Sequence, residues 1–321
     1  MDIKEITLQE LNTDKFIEEQ KKSINDATAG DIAINALSVG VDSSAVTLLG
    51  HKALGNRLKT YFVENGIMRQ DEPQRVVSVF KKLGVPVEII DAKDKFFAAL
   101  KGLTDPEEKR EAITQTFYKD VFGDLVKKSG AKHLLQGTIY TDVEETIAGI
   151  KRQHNILSQL GIDTEKEFGY NVVEPLINLR KPGVRKVAQA LGLPEETFKR
   201  PPFPGPALAA RVIGEVTPER IALVGIATQI VEEELSSSGA FQYMAILHED
   251  KVTGMRNGKR EFGLQIEVRC WDTADAVTAT PTNVSFDTLR KLADRMTNEV
   301  PGVVSVTYHI ATKPPSTMEV V

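Results

Sequence analysis

Short apolar runs alternate with helical stretches through the first two thirds of the chain. Runs at 32–37, 59–63, 87–90, 132–136 and 172–175 read as strands. Between them apolar residues recur at helical spacing. Val46, Leu48, Leu49 and Leu54 follow the first run, and stretches at 72–83, 105–128 and 181–191 come later. Asp105 and Pro106 open the long stretch as a helix start, and Gly192 closes the last one. Strand–helix alternation predicts βαβ units on a parallel sheet, with ligands beyond the C-terminal strand ends. Residues 1–30 are polar and mostly helical in pattern. Leu8, Leu11, Phe16 and Ile24 are their expected docking contacts, and residues 25–30 read as a break.

The pattern changes near residue 199. The proline-rich stretch 200–207 cannot join a central strand and reads as a rigid, extended linker. Beyond it come a helix at 217–236, strands near 243–247, 264–270 and 303–310, and a helix at 285–300. The expected fold is α/β: a parallel-sheet domain over residues 1–198, then a small α+β domain over 199–321.

Composition narrows the class. With 41% hydrophobic and 26% charged residues and a net charge of −5, the chain reads as a soluble globular protein. Its slight acidity argues against nucleic-acid binding. The single cysteine, Cys270, excludes an internal disulfide or a cysteine-based zinc site. No apolar run is long enough to span a bilayer and no signal-peptide pattern is seen, so the expectation is a cytoplasmic protein without a membrane role.

The candidate chemistry sits after the first apolar run, in Ser38, Val39, Gly40, Val41, Asp42, Ser43 and Ser44. A strand–turn–helix junction offers unpaired N–H groups and a positive dipole end to an anion. The serines add hydroxyl donors, and Gly40 allows close approach. Asp42 is out of place in an anion nest unless a divalent cation bridges it to phosphates. The loop lacks the Gly-Lys-Ser/Thr of a Walker A motif, and the chain has no G-x-G-x-x-G fingerprint. An ordinary Ser/Asp helix cap is the other reading. Glu64, Asn65 and Gly66, and the loop at 137–145, would share the same rim. The cluster of Lys151, Arg152 and His154 reads either as a solvated face or as a lid over phosphates.

The loop resembles the PP-loop, Ser-Gly-Gly-x-Asp-Ser, of the N-type ATP pyrophosphatases, which cleave ATP between the α- and β-phosphates. More stretches resemble the ATP pyrophosphatase and dimerisation domains of GMP synthetase: SVGVDSS at 38–44, TDPEEKR at 104–110, QGTIY at 136–140 and Lys151 with His154 and Asn155. PFPGP at 202–206, GEVT at 214–217, NEVPG at 298–302 and TKPP at 312–315 continue the series. The resemblance implies an adenine-nucleotide α-hydrolase-like fold holding ATP on residues Ser38 to Ser44, Val63 and Gly137. It implies Mg²⁺ on Asp42 and Lys151 closing over the phosphates. Pro204, Gly205, Pro206, Lys313 and Glu319 would cradle xanthosine monophosphate (XMP), whose O2 is adenylylated before ammonia releases AMP and leaves GMP. The C-terminal domain would pair two chains. A glutaminase half is missing, which implies a separate subunit that delivers ammonia.

Departures from that pattern are concentrated on the acceptor side. Val39 replaces a loop glycine, losing a positive-φ or close-contact role. Glu64 and Asn65 stand for Asp-Thr, Arg152 and Gln153 for Ser-His, and Ala207 for the last glycine of PGPG. Residues 278–281 match Thr-Ala-Asp-Trp only in part, and the chain ends Glu319, Val320, Val321 instead of Glu-Trp-Glu. Two alternatives remain open: a paralogue that acts on another nucleotide or an RNA base, and a non-catalytic nucleotide-binding relative.

Overall fold

The computed structural model describes residues 3–147, 170–198, 203–274 and 277–320. The chain divides into two compact units. The first comprises Met1–Glu64, Asp71–Asp91 and Phe117–Arg200, and the second Asn65–Gln70, Ala92–Thr116 and Pro201–Val321.

In the first unit β1 (Ala33–Leu37), β2 (Leu58–Glu64), β3 (Glu88–Asp91), β4 (His133–Leu135) and β5 (Asn171–Val173) form one parallel sheet. Its order is β3-β2-β1-β4-β5. β1 is central and buried on both faces: Ala33, Ile34, Asn35 and Leu37 are all buried. The chain runs outward from β1 to β2 and β3, then returns to lay β4 on the other side of β1. That reversal opens a crevice beyond the C-terminal end of β1, where such sheets bind ligands.

α2 (Val41–Leu54) packs on β1, and α1 (Thr13–Thr28) packs in turn on α2. α1 starts at Asn12, whose side chain accepts from Lys15 N, and it buries Phe16, Ile17 and Ile24. Leu8 stays 43% exposed and is not a docking contact. α2 is buried nearly all round. A Cβ at Gly50 would lie 2.5 Å from Leu135 and 3.0 Å from Leu58, so glycine sets how closely α2 packs on the sheet. The predicted helix over 105–128 is not uniform, and its first part belongs to the second unit. It runs as Pro106–Gln115, a π-helical turn at Thr116–Phe122, and Gly123–Ser129.

The second unit holds a long antiparallel pair, β6 (Gln242–Arg256) and β7 (Lys259–Asp272), with β8 (Thr280–Pro281) antiparallel and β9 (Val303–Tyr308) parallel to β7. Helices Pro218–Leu235 and Phe286–Glu299 start at the side-chain caps Thr217 and Ser285. Met244, Ile246, Trp271 and Ala279 form a buried cluster against which Met318 and Val320 of the tail pack. The linker reading of 200–207 does not hold beyond Pro206. Ala207–Arg211 form a 3₁₀ turn with all five residues buried, because four small or apolar residues after the prolines belong to a core. Among the described residues no helix is long and apolar enough to cross a membrane.

Candidate functional site

The loop between β1 and α2 is shaped by its own hydroxyls. Ser43 Oγ accepts from Ser38 N at 3.1 Å and lies 2.7 Å from Ser38 Oγ, while Gly40 N donates to Ser38 Oγ at 3.2 Å. Beneath it runs a buried polar chain. Thr60 Oγ1 donates to Asn35 Oδ1 (2.7 Å), Asn35 Nδ2 to Thr47 Oγ1 (2.6 Å), and Thr47 Oγ1 to the Ser43 carbonyl (2.8 Å). β2, β1 and the first turn of α2 are thereby tied together in a low-dielectric interior. Asn35 is the one polar residue inside β1, which is the signal that marks this chain.

Asp42 lies in the first turn of α2. Its Oδ2 accepts from Lys181 Nζ at 2.6 Å, and its Oδ1 is buried with no hydrogen-bond partner among the described residues. A part-exposed carboxylate with one buried, unpaired oxygen suits a hard divalent cation. No three His, Cys, Asp or Glu side chains among the described residues converge to hold a metal unaided. Phosphate and water could supply the other ligands of a cation on Asp42. Lys181, which opens the helix Lys181–Ala190, is not assigned from the sequence because nothing local marks it as Asp42's partner.

Gly137 follows β4 and packs against the same helix start. A Cβ there would meet the Asp42 carbonyl carbon at 3.1 Å and Ser43 N at 3.2 Å. Next to it, Thr138 Oγ1 donates to Glu174 Oε1 at 2.6 Å, and Asp142 Oδ2 accepts from Ile139 N at 2.9 Å. Burial pushes the Glu174 carboxyl up, Thr138 opposes this, and the Asp142 charge adds to the rise. Val63 is buried near the C-terminal end of β2, whose preceding residue Phe62 is in register with Leu37 of β1. Ser38 to Ser44, Val63 and Gly137 thus gather at one end of the sheet. Ser38, Val39 and Ser44 also line a cavity of ≈ 360 Å³ with Val76, Val79 and Phe80 of the helix Glu72–Lys82, a size suited to a small ligand. A more open hollow of ≈ 410 Å³ on the helix Phe286–Glu299 is lined only by charged residues and Asn298, and is a solvated ion-pair face. Lys151 lies outside the described residues.

Val39 is not in the left-handed region. Among the described residues, the non-glycine residues that are comprise Ala29, Asp71, Ala207 and Asn257. The glycine-specific conformation expected to be lost at Val39 is therefore not called for there. It is called for at Ala207, whose φ is 53°.

In the second unit Glu319 accepts from Arg211 Nη2 at 3.2 Å and from Gln242 Nε2 at 2.8 Å. Arg211 lies over the Phe203 ring, 4.7 Å from its centroid, which brings Glu319 beside the turn that carries Pro204, Gly205 and Pro206. Lys313 is placed by a β-bridge to Ala279, with backbone bonds of 2.8 and 3.0 Å. Nothing in the sequence alone points to Arg211 or Gln242.

The relationship to known proteins accounts for both units. The family model for NAD synthase matches residues 13–206, and that for the GMP synthase C terminal domain matches residues 229–320. The B subunit of GMP synthase (glutamine-hydrolyzing) from Archaeoglobus fulgidus is 45% identical over 309 residues, 96% of this chain and 99% of that protein. The chain belongs to the GMP synthase B-subunit family. The family's members from Pyrococcus furiosus and Methanocaldococcus jannaschii are 44% and 42% identical, each across 95% of this chain and 97% and 98% of their own. The parallel-sheet unit with its PP-loop and the smaller C-terminal unit are thus the fold expected of this family. The gap between the two matches includes the buried turn Ala207–Arg211.

Proposed function

We propose that the chain is the ATP-dependent amidoligase subunit of a two-subunit GMP synthase. ATP binds on residues Ser38 to Ser44 with Val63 and Gly137, and Asp42 would hold the Mg²⁺ that accompanies it. The bound cation would neutralise phosphate charge as it develops. The loop N–H groups and Ser43 orient the pyrophosphate, and Lys151 closes over it. O2 of XMP forms a bond to the α-phosphorus as the bond to pyrophosphate breaks. Ammonia then adds at C2, and AMP leaves with the former O2, giving GMP. The protein contributes alignment and charge placement more than covalent chemistry. Pro204, Gly205, Pro206, Lys313 and Glu319 form the acceptor walls.

The observation that carries this reading is Asp42, with one oxygen paired and the other buried and without a hydrogen-bond partner among the described residues, at the loop of a chain of this family. Incubation with ATP, Mg²⁺, XMP and ammonium chloride tests it, with GMP, AMP and pyrophosphate expected in equal amounts. AMP formation that ignores XMP would overturn the acceptor, and absence of AMP would overturn catalysis. Glutamine should replace ammonium only when a separate glutaminase subunit is added, in keeping with relatives named as one subunit of a glutamine-hydrolyzing enzyme. Pairing of two chains through the C-terminal unit is supported by Met255, Phe262 and Ile310, which are 69, 72 and 81% exposed. Light scattering at micromolar concentration should give the mass of a dimer. Residence in the cytoplasm fits the substrates.

A further inference from the structure

Glu319 is held from beneath by one buried guanidinium. The Arg211 side chain is only 1% exposed, and Glu319 is the carboxylate paired with it among the described residues. Its Nη2 and Nε lie 3.2 and 3.4 Å from the two carboxylate oxygens, and Gln242 Nε2 adds a bond of 2.8 Å to Oε1. The other face of Arg211 covers Phe203. The same ring carries the Arg69 guanidinium at 3.7 Å, which is itself fixed by Glu232 at 2.6 Å. Leu208, inside the turn that Arg211 ends, donates its N–H to Ile67 O at 2.8 Å. Residues 67–69, Gln242 and Glu319 are thus tied to the stretch 203–211, the last two at or beside the Arg211 charge. A guanidinium buried this deeply is tolerated only with a well-placed counter-charge, so its position and that of Glu319 are mutually determined.

We propose that Arg211, seconded by Gln242, is the positioning residue of the acceptor site. It orients Glu319 and holds the tail against the turn of Pro204, Gly205 and Pro206, so that the nucleotide meets both walls at a set spacing. The inference rests on the assignment of the acceptor to those walls. The tail has a second anchor, since Arg269 Nη1 donates to the carbonyls of Thr317 (2.7 Å) and Met318 (3.3 Å). Loss of Arg211 should therefore misplace Glu319 without freeing the whole tail.

Arg211→Met removes the charge at similar volume, and Gln242→Leu probes the same carboxylate with the guanidinium intact. XMP affinity is measured by calorimetry with Mg²⁺ and a non-hydrolysable ATP analogue, alongside analogue affinity alone and amide exchange at 316–320. The XMP Kd should rise roughly tenfold or more in Arg211→Met, and less in Gln242→Leu, as expected for losing charged hydrogen bonds. Exchange at 316–320 should quicken while the ATP-analogue Kd holds. Unchanged XMP affinity in folded Arg211→Met overturns the proposal, as does equal loss of XMP and analogue binding, the mark of a merely structural role. Should Arg211→Met not fold, Gln242→Leu decides, and an unchanged XMP Kd is the overturning result. If the wild-type protein fails to bind XMP, the acceptor reading falls instead. Exchange at 316–320 then judges the tie, and unchanged exchange refutes it.

Discussion

The loop at 38–44 and the turn at 203–211 are built in opposite ways. At 38–44 the bonds that shape the backbone span five residues or fewer, the long-range tie being the Asp42 side chain's bond to Lys181, and Ser38 and Gly40 are exposed. At 203–211 the ties reach Ile67, Arg69 and Glu319, the last 108 residues away, and Ala207 to Arg211 are fully buried. A self-contained loop on a rigid strand can lose one functional side chain and keep its shape. A turn assembled from distant segments would tie the binding proposed for it to stability, so a change there should be felt in both.

The largest expected effect tests the first half of that contrast. Asp42→Asn keeps the side chain's shape and an oxygen for Lys181 but removes the charge a cation needs. XMP-dependent AMP formation should fall by roughly a hundredfold or more, while the thermal midpoint stays close to wild type. Unchanged turnover would reduce Asp42 to a helix-start residue and end the loop assignment. A matching loss of stability would show that the loop is not self-contained.

In the second unit, charge and stability should move together. Glu267 lies between His248 Nε2 (2.9 Å), His309 Nδ1 (3.1 Å) and Arg269 Nε (2.6 Å). Burial pushes its carboxyl up, but hydrogen bonds from His248 and Arg269, and their charges, outweigh this and leave it at about 2. A depressed carboxyl contributes stability that is present above its unfolded pKa and lost as pH falls through the folded one. Here that window runs from about 4.5 down to about 2, and the contribution is on the order of 3 kcal/mol. Urea unfolding of the wild type should weaken steeply across it, and Glu267→Gln should flatten the dependence. Equal slopes would remove Glu267 from the account.

Gly137→Ala probes the loop from outside. The added methyl would press on backbone atoms of Asp42 and Ser43 that have no flexible side chain to yield. A loss of about 1–3 kcal/mol is expected from overpacking, with a raised KM for ATP. Wild-type stability together with wild-type KM would mean that the helix start moves freely.

The same contrast governs what is legible in the sequence. The five parallel strands and the loop after β1 are written in contiguous residues, as apolar runs and a Ser/Gly/Asp turn, and they can be read directly. Strands β6 and β7 are recognisable only where they are buried, near 243–247 and 264–270. Their outer halves, from His248 to Phe262, are largely exposed and charged, and no hydrophobic period marks a ladder held by backbone bonds. The turn at Asn257 and Gly258, with φ of 51° and 72°, is the available signal for that hairpin. Lys181, Glu174, Arg211 and Gln242 escape a reading of the sequence because each acquires its role from a partner far along the chain. Asn35 is within reach, as an amide in an otherwise apolar strand.

The smallest effects bear on the two lost glycines and should differ in sign. Ala207 sits at φ 53°, where an L side chain crowds the backbone and glycine does not. Val39 is outside that region and lines the cavity beside Val76 and Phe80. Glycine also makes the unfolded chain more disordered, which costs about 0.4–1 kcal/mol wherever the native φ suits other residues. At position 207 relief of strain outweighs that cost, so Ala207→Gly should stabilise by up to about 1 kcal/mol. At position 39 nothing offsets it, and Val39→Gly should destabilise by about 1 kcal/mol once the lost apolar contact is included. The two variants, compared by urea unfolding at one pH, form a matched pair. Stabilisation by Val39→Gly would show that the loop does want a glycine conformation, and that its self-contained shape carries strain. Destabilisation by Ala207→Gly would mean that packing of the Ala207 methyl in the buried turn outweighs its backbone strain.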